Sequence, residues 1–274
     1  MKINIFLLCF FFLLAGASGK ERKYTGSTPA GNTVRSFLGI PLSDSVDFIR
    51  WKMTITDNQF ILWCNYGIGQ PNTPGFISGG KVIELKNVLS KEKNYYRLRN
   101  GNKTLMMLEI NTSLLHLLDA DNQLLTGNSG WSYTLNNNAA AVSDSVSVNT
   151  RLTALKDSMT FTGRSPCAVP GIIPPGKLCY KLKWYIVLYV DAATKEPSTC
   201  RVLGTGFRSE GGRKGIWKTI TGKNRRVIYE LYDENGNAYL HLLKLDENIL
   251  LFTDAAENLL VGDEDFSYTL NRKE

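Results

Sequence analysis

Apolar and polar residues alternate with a period of two along much of this chain. The clearest run is Ile49-Arg50-Trp51-Lys52-Met53-Thr54-Ile55-Thr56, in which Ile49, Trp51, Met53 and Ile55 share one face. Such alternation predicts a strand with one buried and one wetted side. Leu182, Trp184, Ile186 and Leu188 repeat the pattern. Trp51 and Trp184 hold equivalent places, and each is expected to anchor a core. Further short strands are expected near residues 60–65, 81–85, 95–99, 105–110, 114–118 and 131–135. Turn residues separate them. Asn100-Gly101-Asn102 and Asn235-Gly236-Asn237 supply the positive φ angles of tight hairpins. No window shows convincing helical periodicity.

The pattern occurs twice, and so do the letters. Residues 119–136 read DADNQLLTGNSGWSYTLN and residues 254–271 read DAAENLLVGDEDFSYTLN. The offset of 135 holds without a gap from Asn100 to Asn136, and 16 of those 37 positions are identical. Shared periodicity alone would not preserve identities, so this is a tandem duplication. The expected architecture is all-β: two antiparallel up-and-down barrels of about eight strands each. Their bounds are residues 18–136 and 159–274. Ser132-Tyr133-Thr134-Leu135 and Ser267-Tyr268-Thr269-Leu270 are expected to close them. Residues 137–158, rich in Ala, Ser and Asn, read as a linker that lets the domains move, with a helical turn near 150–156.

The first 17 residues have the form of a secretory signal. Lys2 precedes an apolar run too short to span a bilayer, and Ala15-Gly16-Ala17 offers a cleavage site. Ala17 stands where a bacterial lipoprotein signal would carry its lipidated cysteine. The expectation is therefore a soluble exported protein of the periplasm or cell envelope, with peripheral membrane association left open. No later segment is apolar enough for a transmembrane helix. Export also sets the redox state of Cys64, Cys167, Cys179 and Cys200, which favours disulfides. Cys167 with Cys179 is the preferred pair. Cys64, inside the apolar run Phe60-Ile61-Leu62-Trp63, is expected to be a buried free thiol.

The formal charge is +7. Much of the excess lies in window 208–226, where Arg208, Arg213, Lys214, Lys218, Lys223, Arg225 and Arg226 face only Glu210. That window is a candidate surface for an anionic partner, against the plainer reading of solvated loops around one strand. No nucleic-acid motif accompanies it. Candidate chemistry is otherwise thin. His116 and His241 lack ligand-spaced companions in sequence, and Met106 and Met107 should face opposite sides of a strand. No nucleophile motif is present. Gly204, Gly206, Gly211 and Gly212 precede no helix that could hold a phosphate. Asp119 and Asp254 sit at turns, where such carboxylates cap local backbone. No catalytic residue, metal ligand or cofactor is assigned, and the sequence does not specify oligomeric state.

The aromatic-x-Gly-x-x-Pro-Cys start, the alternating strand with its Trp, and the Leu-x-x-x-Asp-x-x-x-x-Leu-Leu finish resemble the copper-homeostasis lipoproteins of the NlpE type. The likeness is to their N-terminal, lipocalin-like barrel, here present twice. It implies a non-enzymatic envelope protein that binds a small ligand or senses envelope stress or copper. The family motif carries a thiol pair. Pro166-Cys167-Ala168-Val169-Pro170-Gly171-Ile172 keeps one cysteine of it, and the first repeat keeps neither. One thiolate does not make the two-thiolate site that a soft metal prefers. The alternative to ligand capture is an interaction protein that uses window 208–226 to hold an anionic envelope polymer or a protein.

Overall fold

The computed structural model describes residues 21–140, 146, 155–174 and 176–273, and only the backbone of residues 208–210. The signal segment therefore lies outside the described residues, as does most of the expected helical turn at 150–156. The chain forms two closed antiparallel barrels, each a meander of eight strands. Barrel 1 comprises β1 (Arg22–Pro29), β2 (Phe48–Ile55), β3 (Gln59–Gly67), β4 (Lys81–Glu92), β5 (Tyr95–Asn100), β6 (Lys103–Asn111), β7 (Leu114–Leu118) and β8 (Thr134–Asn136). Barrel 2 comprises β9 (Ser158–Ser165), β10 (Leu182–Val190), β11 (Pro197–Gly204), β12 (Arg213–Thr221), β13 (Val227–Asp233), β14 (Ala238–Lys244), β15 (Ile249–Thr253) and β16 (Thr269–Arg272). The last strand of each pairs with its first, Thr25 opposite Asn136 and Thr162 opposite Asn271.

Alternation sets the interiors as the pattern predicts. Ile49, Trp51, Met53 and Ile55 are buried in barrel 1, and Leu182, Trp184, Ile186 and Leu188 in barrel 2. Each tryptophan is fixed in the same way. Trp51 Nε1–H donates to Thr28 Oγ1 (2.9 Å), and Thr28 donates on to the Pro29 carbonyl. Trp184 Nε1–H donates to Ser165 Oγ (2.8 Å), and Ser165 donates to the Pro166 carbonyl. A large ring is thereby buried with its polar atom satisfied.

Three features depart from the sequence expectations. A seven-residue helix α1 (Asn32–Leu38) follows β1 and buries Val34, Phe37 and Leu38 against the barrel 1 core. It is too short to show a period. The closing strands begin two residues late, at Thr134 and Thr269; ahead of them Trp131 stacks on Phe48 and Phe266 meets Tyr180 edge-on. The barrels are also docked, which corrects the picture of independently moving domains.

The docking seam obeys the repeat. Ser132 meets Ser267 (2.6 Å) and Thr134 meets Thr269 (3.0 Å), each pair being one position in both repeats. Asn136 Oδ1 accepts from Gly262 N–H (3.0 Å), and Asn271 Oδ1 accepts from Gly127 N–H (2.8 Å). Reciprocal contacts of this kind are the mark of a two-fold, self-complementary interface. Gly127 and Gly262 are required by close approach: a Cβ would come within 2.3 Å of the Trp131 carbonyl or 2.2 Å of the Phe266 carbonyl. Beside this polar seam lies a shared apolar layer, with Leu108, Ile110, Leu114 and Leu118 against Ile228, Leu243, Ile249 and Leu251.

Candidate functional site

Ligand capture inside a barrel requires an open interior, and both interiors are filled. Tyr24, Phe37, Trp51, Phe60 and Tyr96 are at most 1% exposed and belong to one cluster. Phe161, Trp217, Tyr229 and Phe252 do the same in barrel 2, where Trp184 beside them is also buried. Small barrels with bulky inward side chains are solid cores. One end of barrel 1 is plugged by polar groups. Glu109 is buried among Arg22 (2.6 Å), Lys91 and Tyr96. The equivalent position of barrel 2 is Lys244, buried and paired with Glu247 at 2.6 Å.

The cysteines and histidines are accounted for by structure. Cys167 and Cys179 form a disulfide, as expected. Cys64 and Cys200 are free and buried, and burial raises both thiols, Cys200 to about 11. His116 is wholly buried between Thr134 Oγ1 and the Leu125 carbonyl, both at 3.0 Å. Burial lowers its pKa to about 4, so it is a neutral core imidazole. His241 does have a carboxylate, which sequence spacing concealed. Glu230 lies opposite it in the β13–β14 register, with Nδ1 3.0 Å from Oε1. Met107 faces the barrel 1 core and Met106 the inter-barrel layer. Asp119 and Asp254 each accept two backbone N–H bonds in their own turns. Among the described residues no three His, Cys, Asp or Glu side chains converge as metal ligands.

The basic window divides when folded. Arg226 is a correction: it is 1% exposed, with Nη2 3.0 Å from Glu257 Oε2 and Nε donating to the Lys223 carbonyl. It does not belong to any surface. Arg213 shares the inward parity of Trp217 and lies 4.8 Å from the Phe207 ring and 5.0 Å from the Tyr239 ring. It closes the barrel end. Lys223 and Arg225 are exposed, but in a turn away from the strand face. The Arg208 side chain lies outside the described residues. Lys214 and Lys218 do point outward from β12, Lys218 over the Tyr232 ring at 4.8 Å.

Register then adds partners that a linear window misses. Arg201 of β11 lies opposite Lys214. Tyr185 and Tyr189 of β10 are 36% and 42% exposed, and Ile216 of β12 is 45% exposed. Lys273 sits over Tyr185 at 5.3 Å. Tyr189, Arg201, Lys214 and Ile216 border an open depression of about 570 Å³, with Asp233 and Glu234 at its rim. The outer wall of β10–β12 thus presents planar aromatic rings between cations. Rings offer stacking faces, and cations offer charge-assisted hydrogen bonds to anionic oxygens. The sequence signal available was parity: Arg213 is odd like Trp217, while Lys214 and Lys218 are even. No protein-family model, no characterised protein and no solved structure matches this chain.

Proposed function

We propose that the protein is a non-catalytic, exported cell-envelope binding protein that holds an anionic polymer on the outer wall of barrel 2. The observation that carries this reading is the exposed face of Tyr185, Tyr189, Arg201, Lys214, Ile216 and Lys218. Exposed apolar patches rimmed by polar residues mark interaction sites. The solid interiors support a surface role over capture of a small ligand within the barrel. The apolar N-terminal segment and the Cys167–Cys179 bond support export to an oxidising compartment. The copper role implied by the NlpE-type resemblance loses two sulfur donors to that bond.

A sugar-acid polymer fits best, because its rings stack on tyrosine while its carboxylates meet Arg201, Lys214 and Lys218. The test is titration of the mature protein with a polyuronate and, separately, with polyphosphate, each at rising salt. The reading expects both to bind at low salt and the polyphosphate to be lost first as screening increases. Tyr185→Ala with Tyr189→Ala should weaken polyuronate about tenfold and leave polyphosphate nearly unchanged. Absence of polyuronate binding at low salt would overturn the proposal.

A further inference from the structure

The two barrels differ at one wall in a way that leaves backbone groups open. In barrel 2, β12 pairs with β13 from Gly215 to Thr221. In barrel 1 the corresponding strand β4 is longer than its neighbour. β5 covers only Leu89, Ser90, Lys91 and Glu92. Residues 81–88 of β4 pair with β3 on one side. On the other side, no described residue pairs with Val82, Glu84 or Lys86.

Hydrogen-bond direction identifies what is free. Leu89 N–H points to the β3 side, where it donates to the Asn58 carbonyl at 2.9 Å. Groups alternate along a strand, so the N–H and C=O of the even positions 82, 84 and 86 face the open edge. Val88 N–H is already taken by its neighbour Asn87 Oδ1 at 2.8 Å. The even side chains also stand on the outer surface: Val82 is 52% and Val88 56% exposed, and Glu84 and Lys86 are exposed between them. An open edge of this kind is a template for another strand.

The edge is self-complementary in one register. An antiparallel partner of identical sequence, centred on Leu85, sets Glu84 opposite Lys86 and Val82 opposite Val88, in both directions. The even–even pairs are then the closely hydrogen-bonded ones, which agrees with the free groups. Shifting the centre to Glu84 or Lys86 puts like charges face to face, which is unfavourable. We infer that a second copy of this chain docks on β4 of barrel 1, strand to strand, about a two-fold axis through Leu85. The barrels would then share a continuous sheet across the dimer. An edge contact is small, so the association is weak and concentration-dependent. It involves barrel 1 and stands apart from the binding wall proposed for barrel 2.

Charge reversal tests the register in the mature, full-length chain by sedimentation across rising concentration. Glu84→Lys alone and Lys86→Glu alone should each lower self-association about tenfold, because both pairs become repulsive. Mixing those two variants should restore a dimer, as should Glu84→Lys with Lys86→Glu in one chain. The side chains are exposed, and the double variant shows that folding survives. Leu85→Cys, on the axis, should give an intermolecular disulfide under mild oxidation, whereas Ile83→Cys should not. A wild-type chain that stays monomeric at every concentration would overturn the inference. So would single variants that associate as well as wild type.

Discussion

Barrel 1 and barrel 2 descend from one unit, and the positions where they agree differ in kind from those where they diverge. Agreement lies in the frame. The tryptophan–hydroxyl–proline relay, the Gly127 and Gly262 approaches, and the Ser132–Ser267 and Thr134–Thr269 contacts are present in both halves. Divergence lies at barrel ends and outer walls. Barrel 1 is capped by helix α1, and barrel 2 has the Cys167–Cys179 loop. Buried Glu109 becomes buried Lys244, with the local partners reversed in sign to match. The wall of β10–β12 carries rings and cations, while the wall of β4 offers an open edge. Duplication preserved what two copies need to fold and dock. The unshared surfaces are where individual function is to be sought.

The largest effects should come from the frame. Trp51→Ala and Trp184→Ala each remove a buried ring and the indole N–H that Thr28 or Ser165 accepts, at about 3–5 kcal/mol in urea unfolding. Equal losses would sustain the equivalence of the two relays. If one tryptophan proved dispensable, the equivalence would fail. Next come exchanges between repeats. Glu109→Lys places a third cation among Arg22 and Lys91 and should cost about 3 kcal/mol. Lys244→Glu buries an unpaired carboxylate beside Glu247 and should cost a similar amount, about 3 kcal/mol. Clearly unequal costs would contradict the account of the plugs.

His116 supplies a pH test of comparable size, since the second repeat has Leu251 at its position. The unfolded chain protonates this ring near pH 6.5, while the folded chain resists until about 4. The stability it permits is full above pH 6.5 and is lost as pH falls toward 4, by about 3 kcal/mol. His116→Leu should flatten the stability–pH slope in that window; an unchanged slope would show that the ring is not buried neutral. A somewhat smaller effect is expected from reducing the Cys167–Cys179 bond, which closes a short loop. It should lower the stability of barrel 2 by about 2–3 kcal/mol and leave the Trp51 environment unaltered, followed by near-ultraviolet circular dichroism.

Much of the frame was legible because it depends on parity and repetition. The inward faces around Trp51 and Trp184, the hairpin turns, the two-barrel count and the disulfide all follow from local pattern. The docking was not, although its residues were in view. Identical closing strands explain barrel closure, and nothing in a linear pattern says that they also meet each other. The basic window divides for a related reason. A count of charges over window 208–226 ignores that alternate residues of a strand face inward, which sends Arg213 into the barrel end. Arg226 is held by Glu257, distant in sequence. Arg201 joins Lys214 only through strand register, and the open β4 edge exists only because β5 is short.

The most direct test of the central claim compares the two outer walls in one binding experiment. Polyuronate binding would be measured by calorimetry for Lys214→Glu with Lys218→Glu in barrel 2, and for Arg97→Glu with Arg99→Glu on the exposed face of β5 in barrel 1. The account predicts a loss of tenfold or more for the barrel 2 pair, and less than about twofold for the barrel 1 pair. Equal losses from both pairs would mean that only net charge matters and would contradict a site on barrel 2.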